Sequence, residues 1–420
     1  MMHQKTAVHS ALCACLSALI GSSYSAAQET EHPNSLAGPE QVENRLHIDS
    51  NAVSGLISSD WMQGYNNWKG RLKDRSGLTI GGDYSTVYLS ASESLGADTA
   101  FGGMYRLFGS WELTGDDHGN SGALVFKAEH RHAYGSELPP GSLGFETGYV
   151  GLHEPPFSDE GTRLTNFYWR QRFADGDWTF VGGFVDTTDY MDVYTLASPW
   201  TGFFNFAFST GSASIAVPVE GLGFALGGYV TDSLYVIGGL ADTNSDTSRP
   251  GDTFESFFDE AEYFKHFEIG WNPRRETAFL DNFHITVWQA DERVEAATPD
   301  GWGINFSYSA SPMDNQLTTF VRGGYAEDGG SLLERTLSTG FAWQTVPGGN
   351  QLGVAYNYGV PMESTWGPNL DDQHTVEMFY RVQLFRELAI TPDLQYIRNP
   401  ALNPQVDDMW VFGLRARFSL

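Results

Sequence analysis

The chain has 420 residues and a formal net charge of -28, from 24 Lys and Arg against 52 Asp and Glu. A phosphate backbone would repel so acidic a protein, which disfavours nucleic-acid binding. The aromatic content of 14% is too high for a disordered chain. After residue 27 no apolar run reaches the roughly 18 residues of a membrane-spanning helix. A membrane β-barrel fits this composition, because its strands alternate and are only half apolar.

Residues 1–27 have the pattern of a cleaved secretory signal peptide. An early lysine precedes an apolar stretch from Ala7 to Ile20, and a small-residue cleavage site ends at Ala27. Both cysteines, Cys13 and Cys15, lie inside this segment, so we expect no disulfide or thiol chemistry in the mature chain. Acylation at Cys15 is the alternative, although the apolar stretch before it would be very short.

The next two segments differ in their pattern. Residues 28–50 are polar, contain two prolines and show no periodicity, which predicts a flexible linker. Residues 51–77 predict a periplasmic amphipathic helix that Gly77 ends, because apolar residues recur every three or four positions from Leu56 to Leu72. This helix either packs on the domain or blocks the inner mouth of a pore.

From Leu78 onward the hydrophobic period is two. Sixteen alternating runs, mostly about ten residues long, have the length of tilted strands that cross a bilayer. They predict an all-β fold, a transmembrane antiparallel β-barrel of about 16 strands over residues 78–420. The runs begin near Leu78, Phe101, Gly122, Arg163, Trp178, Gly221, Leu234, Glu260, Asp281, Gly301, Gln316, Arg335, Gln351, His374, Leu388 and Trp410. A weaker run, Gly144–Leu152, is interpreted as loop.

The lengths of the connections support a barrel. Connections after even-numbered runs average about 5 residues and those after odd-numbered runs about 16, as expected for short periplasmic turns and long external loops. Most of the negative charge falls in the longer loops. A soluble sandwich has no reason to sort its connections in this way.

Charged side chains are frequent at the alternate strand positions, which would face the lumen, while most strand aromatics share the apolar face. Sixteen strands enclose a water-filled channel, and the mixture of both charge signs favours a neutral polyhydroxylated solute. Arginines and carboxylates bind sugar hydroxyls through charge-assisted hydrogen bonds. The candidate pore-lining residues are Arg106, Lys127, Glu129, Arg131, Tyr168, Arg170, Arg172, Glu268, Trp288, Arg322, Glu377, Arg381, Gln395 and Arg415.

The connection 187–220 is the candidate constriction loop. It is rich in aromatic residues and contains no Lys or Arg. An exposed loop this apolar would be a liability, so we expect it to fold into the barrel rather than pack on itself outside. Its candidate constriction residues are Tyr190, Asp192, Trp200 and Phe204.

Signatures of catalysis and metal binding are weak. The sequence contains no GxxxxGK[ST], HExxH or GxSxG motif. His130 and His132 share one side of a strand, but nothing places a third ligand beside them. We therefore predict a protein that is not an enzyme, with no catalytic residues, cofactor or metal site.

Several stretches resemble the carbohydrate-selective porins of the OprB type. The most specific runs from Thr391 to Pro400 as TPDLQYIRNP; others are Glu377–Arg381, Phe320–Tyr325 and Gly183–Asp186. The resemblance implies a Gram-negative outer-membrane barrel through which sugars diffuse. Its partners would be small sugars, outer-membrane lipid and lipopolysaccharide, and it would be a monomer or homotrimer.

Two departures from the family pattern concern the scaffold. The family commonly has Gly-Arg in the turn where this chain has Gly348-Gly349-Asn350, and outer-membrane chains favour a terminal Phe where this one ends in Leu420. The sugar is not implied by the resemblance. A general diffusion porin, a secreted β-sheet glycan-binding protein or hydrolase, and a structural envelope protein are the alternative functions.

Overall fold

The computed structural model describes residues 36, 38–53, 55–58, 60–275, 280–313, 316–345 and 349–420. The predicted signal peptide and the first residues of the predicted linker lie outside the described residues. Within them the structure contains sixteen strands. They are β1 Leu78–Ala91, β2 Thr99–Gly115, β3 Ser121–Ala133, β4 Gly161–Phe173, β5 Trp178–Val185, β6 Gly221–Tyr229, β7 Leu234–Asp242, β8 Tyr263–Trp271, β9 Asn282–Ala290, β10 Gly301–Ala310, β11 Leu317–Asp328, β12 Leu333–Gln344, β13 Gln351–Pro361, β14 Gln373–Gln383, β15 Leu388–Arg398 and β16 Asp408–Ser419.

The strands form one closed antiparallel barrel. Each strand pairs with its neighbours in sequence, and β1 closes the ring by pairing with β16 from Asp83↔Ser419 to Ala91↔Val411. Closure leaves no strand edge unpaired. The predicted fold class, an all-β antiparallel barrel of sixteen strands, is confirmed.

The wall is apolar outside and polar inside. In β10, Trp302 and Tyr308 are exposed, whereas Asn305 and Ser307 are buried. The same alternation continues around the barrel, with exposed tryptophans such as Trp343 on the outer face. A soluble protein has the reverse arrangement, and a barrel in lipid has this one.

The helices are short, and none of them forms part of the barrel wall. They are α1 Val42–Ser50, α2 Gln63–Ser76, α3 Leu143–Thr147, α4 Thr253–Glu255 and α5 Glu363–Trp366, with a π-helical turn at Ser256–Glu260 and 3₁₀ turns at Pro140–Ser142, Thr187–Asp189, Phe206–Phe208 and Thr210–Ala213. No helix among the described residues is long and apolar enough to cross a membrane. The stretch 144–152, interpreted as loop from the sequence, contains most of helix α3 and is not a wall strand.

The flexible-linker prediction for residues 28–50 is wrong where the structure describes the chain from residue 38 to 50. Helix α1 lies inside the barrel, where the Gln41 side chain caps it by accepting from the Asn44 amide at 3.1 Å. Val42 and Leu46 are buried. The sequence shows no helical period because α1 buries charged residues as well as apolar ones, among them Arg45. We call residues 36 and 38–50 the N-terminal segment.

The predicted amphipathic helix begins later than expected. Helix α2 starts at Gln63 rather than near Asn51, because the amides of Leu56 and Ile57 donate to the carbonyls of Gln383 and Leu384 at 2.9 and 2.8 Å. No α2 residue is buried. Gly77 ends the helix in the left-handed conformation, with φ 71°.

Helix α2 lies beside the end of β16. Trp61 stacks on Phe418 at 5.6 Å between ring centroids, and the Lys69 ammonium donates to the Leu420 carbonyl at 2.8 Å. We call this end of the barrel the terminus side and the opposite end the loop side.

Candidate solute pathway inside the barrel

The loop 187–220 fills part of the barrel interior. Phe203 packs on Phe379 of β14 with ring centroids 4.9 Å apart, and Tyr194 packs on Phe320 of β11 at 5.1 Å. The predicted constriction residues Tyr190, Asp192, Trp200 and Phe204 are all at most 6% exposed. Their burial against the wall explains how the chain accommodates so apolar a loop.

Polar wall residues anchor one part of this loop around Asp192. The Asp192 amide donates to Glu268 at 2.7 Å, and the Arg322 guanidinium donates to the Asp192 carboxylate at 2.5 Å. His284 and the Gly211 amide also contact that carboxylate, at 3.0 and 2.8 Å. Asp192 has φ 50°, a strained conformation that persists only where the surroundings impose it.

A second set of wall residues holds the loop near Phe204. Glu377 accepts from the Phe204 amide at 2.6 Å, and Gln395 accepts from the Asn205 side chain at 3.0 Å. Arg415 donates to the Gly202 carbonyl at 2.8 Å. These interactions clamp the loop backbone from β14, β15 and β16.

These contacts correct the pore-lining prediction for five residues. Glu268, Arg322, Glu377, Gln395 and Arg415 point inward, but all are at most 1% exposed because the loop covers them. They do not line open water. A solute moving through the barrel would meet the loop rather than these side chains.

Three predicted residues of β3 surround the two ends of the loop. The Lys127 ammonium lies 3.4 Å from Asp186 and 3.3 Å from Asp189, where the loop begins. Arg131 lies 2.6 Å from Glu129 and 3.6 Å from Glu220, where the loop ends. The Arg131 side chain is 12% exposed and those of Lys127 and Glu129 are 7% and 3% exposed, so Arg131 is the most accessible of the three.

Three predicted arginines contact the N-terminal segment instead. Arg106 lies 3.0 Å from Glu40, Arg170 lies 2.6 Å from Glu43, and Arg172 lies 3.2 Å from the second oxygen of Glu43. The segment therefore occupies the lumen where these residues were expected to meet solute.

Arginines also stack on aromatic rings of the loop. The Arg106 guanidinium lies 3.8 Å from the Trp200 ring centroid, and Arg322 lies 4.2 Å from that of Tyr194. Such cation–π contacts reinforce ion pairs in desolvated sites. The interior thus alternates charged and aromatic surfaces.

The three remaining candidates have separate environments. Tyr168 is 5% and Trp288 3% exposed, and Trp288 stacks on Phe264 at 6.0 Å. Arg381 donates to the Thr201 carbonyl at 3.4 Å. No carboxylate of the described residues lies within ion-pair distance of Arg381.

Two clefts open on either side of helix α1 at the terminus side. The larger has a volume of about 880 Å³ and is lined by Glu43, Arg170 and Arg172 among others. The smaller, of about 180 Å³, is lined by Arg381 and Arg417 among others. Helix α1 therefore divides the terminus-side part of the lumen.

The acidic partners in this region are not among the predicted pore-lining residues. Asp83 of β1 accepts from Arg106 and Arg417, and Asp49 accepts from Arg417 at 2.7 Å. Asp83 and Arg417 both occupy inward-facing positions of their strands, and that alternation in the sequence could have identified this pair. Glu40 carries no comparable signal, because it lies in a segment without periodicity.

The described residues contain no group of three or more His, Cys, Asp or Glu side chains placed to hold a metal ion. His130 and His132 stack with centroids 5.5 Å apart, and the former contacts the Thr162 hydroxyl at 2.8 Å.

Comparison with known proteins supports a porin-type barrel. Residues 282–420 match the carbohydrate-selective porin, OprB family, which confirms the resemblance over that part of the chain. The high-pH structure of Pseudomonas putida OprB is similar with a TM-score of 0.66 at 14% identity, covering 88% of this chain and 99% of that one. In-vitro folded Vibrio cholerae OmpT, in its trimer form, gives 0.51 at 13% identity, covering 82% and 99%. Comparison with curated proteins found no match.

Proposed function

We propose that the protein is a passive, carbohydrate-selective porin of the Gram-negative outer membrane that admits mono- or small oligosaccharides. The observation that carries this proposal is the closed sixteen-stranded barrel with the loop 187–220 clamped inside it, together with the OprB match over residues 282–420. A constriction inside a barrel is what makes a porin selective rather than merely open. The proposal requires neither a catalytic cycle nor a cofactor.

The proposed path begins at the loop side beside Glu129 and Arg131. The Arg131 side chain is 12% exposed, and it pairs with Glu129 and with Glu220 at the end of the loop. Arginine and carboxylate side chains can donate and accept hydrogen bonds with sugar hydroxyls. The path continues toward the clefts beside α1, which would open to the periplasm.

The proposed cellular context follows from the outer surface and from the first residues. The exposed apolar belt fits outer-membrane lipid, and the acidic external loops could bind divalent cations that bridge lipopolysaccharide. Export would use the predicted signal peptide at residues 1–27. Either a monomer or a homotrimer is compatible with the barrel.

Liposome swelling with glucose, sucrose and glutamine tests the selectivity. We expect glucose to enter fastest, and Arg131→Gln to reduce that preference because the side chain borders the entrance. Arg249→Gln is the matched control, since Arg249 is 70% exposed and outside the lumen. Equal entry of all three solutes would favour a general diffusion porin. A mature chain soluble without detergent would contradict the membrane barrel and favour a secreted glycan-binding protein.

A further inference from the structure

The barrel interior contains a group of arginines with too few wall carboxylates to neutralise them. We call Arg106, Arg170, Arg172, Arg381 and Arg417 the arginine ring. Their nearest wall carboxylate is Asp83, which already accepts from two of them, Arg106 at 2.9 Å and Arg417 at 2.8 Å. The other three ring members pair with no wall carboxylate among the described residues.

The N-terminal segment supplies the missing negative charge. Glu43 bridges Arg170 and Arg172 with its two oxygens and accepts from the Ser110 hydroxyl at 2.9 Å. Asp49 accepts from both terminal nitrogens of Arg417, at 3.0 and 2.7 Å.

Two other interactions connect the N-terminal segment to the wall and to the loop 187–220. Glu40 pairs with Arg106 at 3.0 Å, and the Gly38 amide donates to the Asp189 carbonyl at 2.7 Å. A Cβ at Gly38 would come within 2.3 Å of that oxygen, so only glycine allows this approach. Glu40 and Asp49 also pair with Arg45 of the segment itself, each at 3.1 Å, so Glu43 is the carboxylate that contacts wall guanidinium groups alone, as a bound acidic ligand would.

An arginine group that nothing neutralises is costly to bury. Four of the five ring side chains are at most 12% exposed with the segment in place. The ring therefore favours an anionic occupant, and guanidinium forks match carboxylates in shape as well as charge.

The segment is accessible from the terminus side of the barrel. Its C-terminal end lies at the terminus side, where Leu56 and Ile57 tether the following chain to the β14–β15 connection. The clefts beside α1 give access to Glu43 and to Arg417 from that side.

We infer that the arginine ring is a binding site for acidic sugars, of the uronic acid class, and that the carboxylates of the N-terminal segment occupy it until such a sugar displaces them. This inference rests on the proposed porin function and names the substrate class of the same lumen. Sugar phosphates share the anionic chemistry, but the occupant seen here is a set of carboxylates.

The first test uses the unmodified full-length protein and sodium galacturonate. Amide hydrogen exchange of residues 42–50 should accelerate at least about tenfold with galacturonate and remain unchanged with glucose, because only the acid competes for the arginines. Glucose 6-phosphate serves as a third arm, and an effect equal to or larger than that of galacturonate would overturn the assignment to carboxylates. Unchanged exchange at saturating galacturonate would overturn the inference.

The second test uses charge-neutral variants in liposomes. The triple variant Glu40→Gln, Glu43→Gln, Asp49→Asn should raise the galacturonate rate relative to glucose by about tenfold, since the ring then faces open solvent. Adding Arg170→Gln and Arg172→Gln should abolish that gain, because the two side chains then offer no positive charge to a uronate. The matched control is Glu255→Gln, Asp259→Asn, Glu292→Gln, three exposed carboxylates outside the lumen.

The outcomes separate this inference from the proposed function. If glucose enters but the triple variant does not change the rate of galacturonate entry relative to glucose, the inference is overturned and the proposed porin function is retained. Galacturonate entry without glucose entry supports the inference and removes the preference for neutral sugars. If no variant admits either solute, both fall.

Discussion

Different forces hold the two pieces of chain that fill the lumen. The loop 187–220 is held by an aromatic core and by buried charged groups such as Arg322, all nearly inaccessible. The N-terminal segment buries few apolar side chains, among them Leu36, Val42 and Leu46, and its other contacts are ion pairs and hydrogen bonds with the wall and the loop. The difference implies that the loop is part of the barrel's core, whereas the segment can be released while the barrel stays folded.

The largest expected effect comes from the loop's aromatic core. Phe203→Ala should cost about 3–5 kcal/mol of unfolding free energy, because it removes a buried ring that packs on Phe208, Phe320 and Phe379. Guanidinium unfolding in detergent, followed by the mobility shift of the folded barrel, measures it. Phe254→Ala is the control, since Phe254 is 60% exposed. Equal losses in the two variants would contradict the core assignment of the loop.

A somewhat smaller effect is expected from the loop's buried ion pair. Arg322→Met should cost about 3 kcal/mol, because Asp192 would remain buried without its guanidinium. Adding Asp192→Asn should recover part of that loss, since the asparagine is neutral. The same unfolding measurement checks both variants. If the double variant is no more stable than Arg322→Met, the uncompensated charge of Asp192 is not the cause of the lost stability.

For the N-terminal segment the expected effect is smaller and local. Glu43→Gln should weaken its docking by about 2 kcal/mol by removing a charge-assisted contact with Arg170 and Arg172. Global unfolding should not change. Hydrogen exchange of residues 42–50 measures the docking, with Glu255→Gln as the control. Loss of global stability equal to that of Phe203→Ala would erase the contrast between the two regions.

The smallest effect is the pH dependence of the segment. Burial tends to raise the pKa of Glu43, but Arg170 and Arg172 outweigh it and lower that pKa from 4.5 to about 2. For a lowered carboxyl pKa, the stabilisation is complete above pH 4.5 and is lost as the pH falls toward 2. Docking should therefore be about fourfold weaker at pH 4 than at pH 7, a loss of about 0.8 kcal/mol.

Single-channel conductance at pH 7 and pH 4 measures this change. The Glu43→Gln variant should respond less to pH than the unmodified protein, because it lacks the titrating group. An identical response in both proteins would assign the pH dependence to other carboxylates.

Much of the fold could be predicted because its signal is local. The alternation of apolar and polar residues within a run, such as that from Phe101 to Leu113, shows which face of the strand meets lipid. The alternation of short and long connections shows which ends of the strands lie on each side of the membrane. For the same reason the sequence alone predicts that the side chains of Arg170 and Arg322 face inward. What lies opposite an inward residue is not local, so the sequence could not distinguish Arg322, which is covered by the loop and 1% exposed, from Arg131, which is 12% exposed.

By itself the sequence determined the number of strands, their direction and the face that each side chain takes, because a period of two is set by the chain's own geometry. Only the tertiary structure decided what occupies the lumen. The acids of the N-terminal segment find their arginines across the barrel, as Glu43 does with Arg170 and Asp49 with Arg417. A segment stabilised by such distant charges has no periodicity of its own, and so it resembles a linker until the closed wall brings its partners together.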